Sequence, residues 1–187
     1  MAGHGALERW TAPPGPWTEP DLRLFPQDGH HYEIIDGSLH VSPPADVRHQ
    51  STVEALVTTL RSAAPDDWWA CTRRGITIGA SNLVPDVAVL RPHSASGVWH
   101  DPADVALVVE VETSATRRID RLLKPVIYAE AGIEVYWRVE REPDGPLLSI
   151  YGLAADGRYA MHRQVQGRQL VAVDTPFPMR VAPSSWV

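Results

Sequence analysis

Lysine is nearly missing from this 187-residue chain: of 17 basic residues only Lys124 is lysine, and the rest are arginine. Cysteine is as scarce. Cys71 stands alone, which excludes an internal disulfide and a cysteine-built zinc centre and fits a reducing compartment. No apolar run approaches the ~20 residues that cross a bilayer, and residues 1–10 lack the apolar stretch of a secretory signal. A cytoplasmic protein without a membrane partner is therefore expected. Positive charge is also short, with a formal net of −6. That excludes broad non-specific adhesion to nucleic acid, because phosphate binding rests on lysine and arginine displacing counterions. Any DNA contact must be local. Two clusters are available for it, Arg73 with Arg74, and Arg117, Arg118 and Arg121 with Lys124; each also reads as an ordinary solvated face.

What is present is a 44% hydrophobic content, enough for one domain with a substantial core. Residues 1–20 hold Pro13, Pro14, Pro16 and Pro20 with Trp10 and Trp17, and read as an extended arm whose tryptophans pack on the body or on a partner subunit. Residues 21–187 read as a single domain. Branched and aromatic residues at 31–35 and 39–42 flank Asp36-Gly37-Ser38, the pattern of a hairpin. Val47, Val53, Leu56, Val57 and Leu60 recur at helical spacing and predict a helix over about 45–61. Apolar runs at 69–78, 84–90 and 105–111 predict three strands of a central sheet. A second long helix is expected over 114–131, stopped by Gly132. Strands at 134–139, 147–151 and 159–162 follow, with Asp144-Gly145 and Asp156-Gly157 as turns. The order is α/β: a mixed central sheet flanked by two long helices, with an N-terminal hairpin and C-terminal strands.

Two of the apolar runs carry acids. If residues 84–90 and 105–112 pair antiparallel about Gly97 or Val98, Asp86 falls opposite Glu110, and side-chain alternation puts Glu112 on the same face. Three carboxylates then converge at one sheet end. Like charges on a half-buried surface must take a proton or find a cation. Hard oxygen ligands without neighbouring histidine or cysteine favour Mg²⁺ or Mn²⁺ over zinc. Such an ion beside a lysine is the chemistry of phosphodiester hydrolysis. An ammonium suits that place better than a guanidinium, being compact and able to orient a water.

Further residues join the pattern: Tyr32-Glu-Ile-Ile-Asp-Gly37, Val41-Ser-Pro43, His49-Gln50, Val84-Pro-Asp-Val-Ala-Val-Leu90, Val108-Val-Glu-Val111, Ser114, Thr116, Asp120 with Lys124, and Tyr128 through Gly132-Ile133 to Tyr136-Trp137. Together they resemble the bacterial family described as putative restriction endonucleases, within the PD-(D/E)XK nuclease superfamily, over about residues 32–159. The resemblance implies a restriction-endonuclease-like core, a divalent metal and DNA as substrate, with Asp86 and Glu110 as metal-binding acids. It places a lysine two residues after Glu110, where this chain has Glu112, and assigns the lysine's role to Lys124 instead. Glu33 and His49 match accessory positions. Asp120 lies four residues before Lys124 and pairs with it on one helix face, either within the site or as a surface ion pair. The expectation is a metal-dependent endodeoxyribonuclease acting as a homodimer, the dimer read from the Pro/Trp-rich arm and the symmetry of duplex substrates. The alternatives are a non-catalytic binding or assembly protein on the same fold, and a metal-dependent hydrolase of RNA or small phosphate esters.

Overall fold

The computed structural model describes residues 14–94 and 96–186. Trp10 and Pro13 of the expected arm lie outside them. Trp17, within them, packs against Phe25, with ring centroids 5.6 Å apart.

A four-residue helix α1 (Glu19–Leu22) leads to the hairpin β1 (His31–Ile35) and β2 (Ser38–Ser42). Asp36 and Gly37 both take positive φ, 47° and 71°, as a two-residue hairpin turn requires. Helix α2 (Val47–Ala63) starts where the Asp46 side chain accepts the His49 N–H, and ends before Pro65, which forces Ala64 into extended backbone. Three short strands follow, β3 (Trp69–Cys71), β4 (Gly75–Ile78) and β5 (Ser81–Leu83). Next come β6 (Val87–Leu90), β7 (Trp99–His100) and β8 (Val105–Val111). A π turn over Ile119–Leu123 runs into α3 (Lys124–Glu130), and β9 (Val135–Glu142), β10 (Gly145–Leu153) and β11 (Tyr159–Gln166) form a meander. The small hairpin β12 (Val171–Val173) and β13 (Met179–Val181) completes the order.

Two principal sheets result. The larger runs β11-β10-β9-β8-β6-β3 and is mixed, since β8 and β9 are parallel and the other pairs antiparallel. The smaller runs β2-β1-β5-β4-β7. One face of the larger sheet takes Leu56, Val57 and Leu60 of α2 on Val87, Val89, Leu107 and Val109, with Trp186 and the β12-β13 hairpin closing that side. Each fully buried leucine there contributes roughly 1.5–3 kcal/mol of burial. The other face packs Ala88, Leu90 and Val108 against Ile35, Ile76 and Leu83 of the smaller sheet and Tyr128 of α3. Parallel neighbours cannot be joined by a tight turn, so the chain between β8 and β9 must cross over, and the π turn with α3 is that crossover. This connection lays a helix beside the end of β8, where Glu110 sits.

The expected α/β class and the meander hold, with four revisions. Residues 69–78 are two strands in different sheets, broken where Arg73 takes a positive φ of 56°. Residues 81–83, too short and polar to stand out, form β5. The N-terminal hairpin builds a second sheet with β4, β5 and β7. The second helix is shorter than expected and irregular: helical backbone runs from 117 to 130, opened by a π turn at 119–123, and Pro125, which has no N–H to donate, follows directly on that turn. Lys124 keeps helical backbone despite the proline that follows it, its N–H bonding back to the Ile119 carbonyl.

Candidate active site

Strands β6 and β8 pair with Val87 opposite Val109 and Ala88 opposite Val108. One step further along that register sets Asp86 opposite Glu110, the expected arrangement, centred on Val98. The fit is tightened by the backbone: Asp86 Oδ2 accepts the Val111 N–H at 2.7 Å. His49, from the first turn of α2, places Nε2 3.0 Å from the Val111 carbonyl and 3.3 Å from Asp86 Oδ2. Burial pulls the His49 pKa down, yet the Asp86 carboxylate and the Val111 carbonyl outweigh it and leave the value raised. Its Nδ1 is buried without a partner.

Lys124 enters from α3. Its Nζ lies 2.9 Å from Glu33 Oε1, 3.0 Å from Glu110 Oε1 and 3.9 Å from Asp120 Oδ1. Burial works against the ammonium, but the attraction of Glu110, Glu33 and Asp120 more than reverses this and holds its pKa well above the ordinary lysine value. The side chain therefore stays charged. Glu33 also accepts the Val84 N–H at 2.7 Å, which ties β1 to the approach of β6. Glu110 Oε1 accepts the Tyr128 hydroxyl at 2.8 Å. Burial raises the Glu110 pKa well above the carboxylate range, opposed by Lys124 and reinforced by the other acids. Burial likewise lifts Asp120 to about 6, against the pull of Lys124.

Four of the expected residues, Asp86, Glu110, Lys124 and Glu33, thus meet with His49 and Asp120 around one cleft of about 40 Å³, room for one or two water-sized species. Its walls add His31, Thr113 and Thr116. Glu112 does not join them. Its carboxylate is buried among Arg117, Arg121 and Arg138, just past the end of β8. The convergence of three acids expected from alternation fails there because β8 ends at Val111. Arg117 and Arg121 are committed to Glu112 and Glu140, and Arg74 stacks on Trp69 while donating to the Gly97 carbonyl. Arg118 is exposed on the segment before the π turn. Arg73 alone of the five arginines lines the pocket beside the cleft, which shares His31, His49 and Asp86 with it.

Tyr128 entered the sequence reading only within the family pattern, without a role, and His31 was given none. Tyr128 carried a signal, four residues after Lys124 and so on the same helix face. His31 carried none, since its place depends on the hairpin's docking against residues 84–86.

Among the described residues, no three His, Cys, Asp or Glu side chains form a ready-made ion cage. A two-carboxylate site is nonetheless what Mg²⁺ commonly takes, the rest of its shell being water and substrate oxygens. Asp86 and Glu110 each use one oxygen in the bonds above, and among the described residues no hydrogen bond occupies Asp86 Oδ1 or Glu110 Oε2. The buried Asp120 Oδ1, which accepts no hydrogen bond and has Lys124 only at 3.9 Å, marks the same surplus of negative charge. The donor set therefore fits a small hard cation.

No curated protein matches the chain. A crystal structure titled as that of a putative nuclease belonging to DUF820 from Anabaena variabilis superposes with a TM-score of 0.64 at 16% identity, covering 86% of this chain and 90% of that one. At that identity the likeness establishes the fold. Residues 19–183 match the Uma2 family, described as "Putative restriction endonuclease". The match takes in every residue of the cleft, and the chain belongs to that family.

Proposed function

We propose that the protein is a metal-dependent endodeoxyribonuclease whose active site is the cleft between β6, β8, α2 and α3. The observation that carries this reading is one buried ammonium within 4 Å of three acids, Glu33, Glu110 and Asp120, in a cleft that Asp86 also lines. Family membership supports a nuclease in general terms.

Asp86 and Glu110 would hold Mg²⁺ or Mn²⁺, whose chemistry when bound is to polarise a phosphate and to make hydroxide available from coordinated water. The chain's own groups do the rest. Lys124, fixed by Glu33 and Glu110, presents N–H donors to the attacking water or to the charge that develops on the phosphate. Tyr128 restrains the Glu110 carboxylate by donating its hydroxyl to the oxygen that also faces Lys124. His49 and the Val111 N–H fix Asp86 in one orientation. Arg73 stands beside the cleft as the phosphate contact. Residues 21–187 act as one domain in this reading, and a homodimer would address the two strands of a duplex.

The test is cleavage of supercoiled plasmid by purified protein with Mg²⁺ or Mn²⁺, beside Asp86→Ala, together with calorimetric Mn²⁺ titration of wild type and Glu110→Ala. Metal-dependent nicking lost in Asp86→Ala, with an ion lost in Glu110→Ala, is expected. Nicking that persists in Asp86→Ala removes this cleft as the site. An absence of both ion and nicking leaves the fold as a binding or assembly protein.

A further inference from the structure

Glu110 and Glu112 are two positions apart, yet their surroundings differ. Glu110 faces Lys124, whereas Glu112 is gripped by arginines: Arg117 Nε lies 2.6 Å from Oε1, Arg121 Nε 2.7 Å from Oε2, Arg121 Nη2 2.9 Å from Oε1, and Arg138 Nε 3.6 Å from Oε2. Glu140 accepts from Arg121 and Arg138 alongside. Arg121 is therefore held in two-pronged fashion, the geometry in which guanidinium and carboxylate bind most strongly. The anchor is buried, with 2% of the Glu112 side chain exposed, while Arg117 and Arg121 reach in from the surface.

Those two arginines are not placed at random. Arg117 precedes the π turn by two residues, and Arg121 is its central residue. The turn closes when the Lys124 N–H bonds to Ile119, so its orientation sets the direction in which the lysine leaves the helix. π turns are rare, and those set within a helix are frequently found at functional sites. This one lacks the support of a long regular helix on either side and is tied down from outside.

We infer that Glu112 is a positioning residue for Lys124: its buried carboxylate clamps the π turn through Arg117 and Arg121 and so holds the ammonium between Glu33 and Glu110. This deepens the reading of the cleft given above and rests on it in taking Lys124 as the working cation. Glu112 touches no reacting atom.

Because Lys124 is the chain's single lysine, protein grown with ¹³C,¹⁵N-lysine gives one side-chain spectrum to follow. In wild type the ammonium signal is expected to be resolved and slow to exchange with water. In Glu112→Gln, which keeps shape and removes charge, the εCH₂ signal should shift toward the free-lysine position and the slow ammonium signal should be lost. Glu112→Asp should restore part of the shift. Glu134→Gln, which breaks the exposed pair with Arg91 away from the π turn, should leave the spectrum unchanged. If Glu112→Gln does not fold, Arg117→Gln gives the deciding measurement, with a smaller shift in the same direction. An unmoved Lys124 signal in the folded variant overturns the inference. In plasmid cleavage, Glu112→Gln should lower kcat with KM for DNA unchanged. If wild type cleaves nothing, the nuclease reading fails while the NMR result still decides the clamp.

Discussion

Lys124 and Glu110 face each other at 3.0 Å in a pocket that leaves 5% of one side chain and 3% of the other exposed. A pair this deep is held by mutual dependence, since removing one partner strands a charge in a medium that solvates it poorly. Lys124→Met is expected to cost about 3–5 kcal/mol of stability in urea unfolding at pH 7.5 with chelator present. Adding Glu110→Gln should return a large part of that loss, because the buried acid left without its cation, which must either stay ionised or take up a proton, is gone. Losses that simply add would show that the pair is not coupled.

The pH dependence of stability follows from Asp120. Its carboxyl is pushed up to about 6 in the folded protein from an ordinary 3.8, so the folded state binds the proton more tightly than the unfolded chain does. For a raised acid, stability is greatest below the unfolded value and falls as pH rises through the window from about 4 to about 6. The shift corresponds to about 3 kcal/mol. Asp120→Asn, measured by thermal melts in chelator, should therefore stabilise the protein at pH 7.5 and make little difference at pH 4. Equal effects at both values would remove Asp120 as the source.

Much of this site could be read before any coordinates. The Asp86–Glu110 register followed from alternation and a turn-rich loop, and it holds because both strands are buried and the one irregularity in their pairing falls at Val89 and Leu90, toward the other end from the acids. Lys124 stood out by composition alone. What the sequence hid was the partition of the acids. Val-Glu-Val-Glu is one alternating pattern, and only the end of β8 and the arrival of Arg117 and Arg121 from the crossover that follows it, and of Arg138 from β9, separate Glu112 from Glu110. The π turn was equally hidden, since apolar spacing over residues 119–131 cannot distinguish five-residue from four-residue closure. Residues 69–78 misled for a related reason: the break at Arg73 is a backbone conformation that favours glycine, taken here by an arginine.

That same Arg73 separates the basic residues into two kinds. It is exposed beside the cleft, whereas Arg74 is held against Trp69. In fluorescence-anisotropy binding to a DNA duplex, Arg73→Ala should weaken affinity and reduce the slope of log K against log salt by about 0.9, the loss of one phosphate contact. Arg74→Ala should leave that slope unchanged. A slope insensitive to Arg73 would move the DNA path to another face.

The lone thiol offers a check on the packing between the two sheets. Cys71 sits on β3 opposite Ala88 of β6, 2% exposed, with Sγ 3.6 Å from the Ala88 carbonyl. Burial pushes its pKa up to about 11, against some relief from Arg74 and Arg61. Thiolate is the reactive form, so a rise of about two units from the reference value of 9.0 cuts the reactive fraction near pH 8 about 100-fold, before burial blocks access as well. Ellman's reagent should accordingly find almost no thiol in the folded protein at pH 8 and one full equivalent after unfolding in guanidinium. Because β3 is a three-residue edge strand, the labelling rate below the unfolding midpoint also reports local opening of that edge. Labelling that tracks the global transition would show β3 to be as stable as the core, and rapid stoichiometric labelling of the native protein would refute the burial of Cys71 between the sheets.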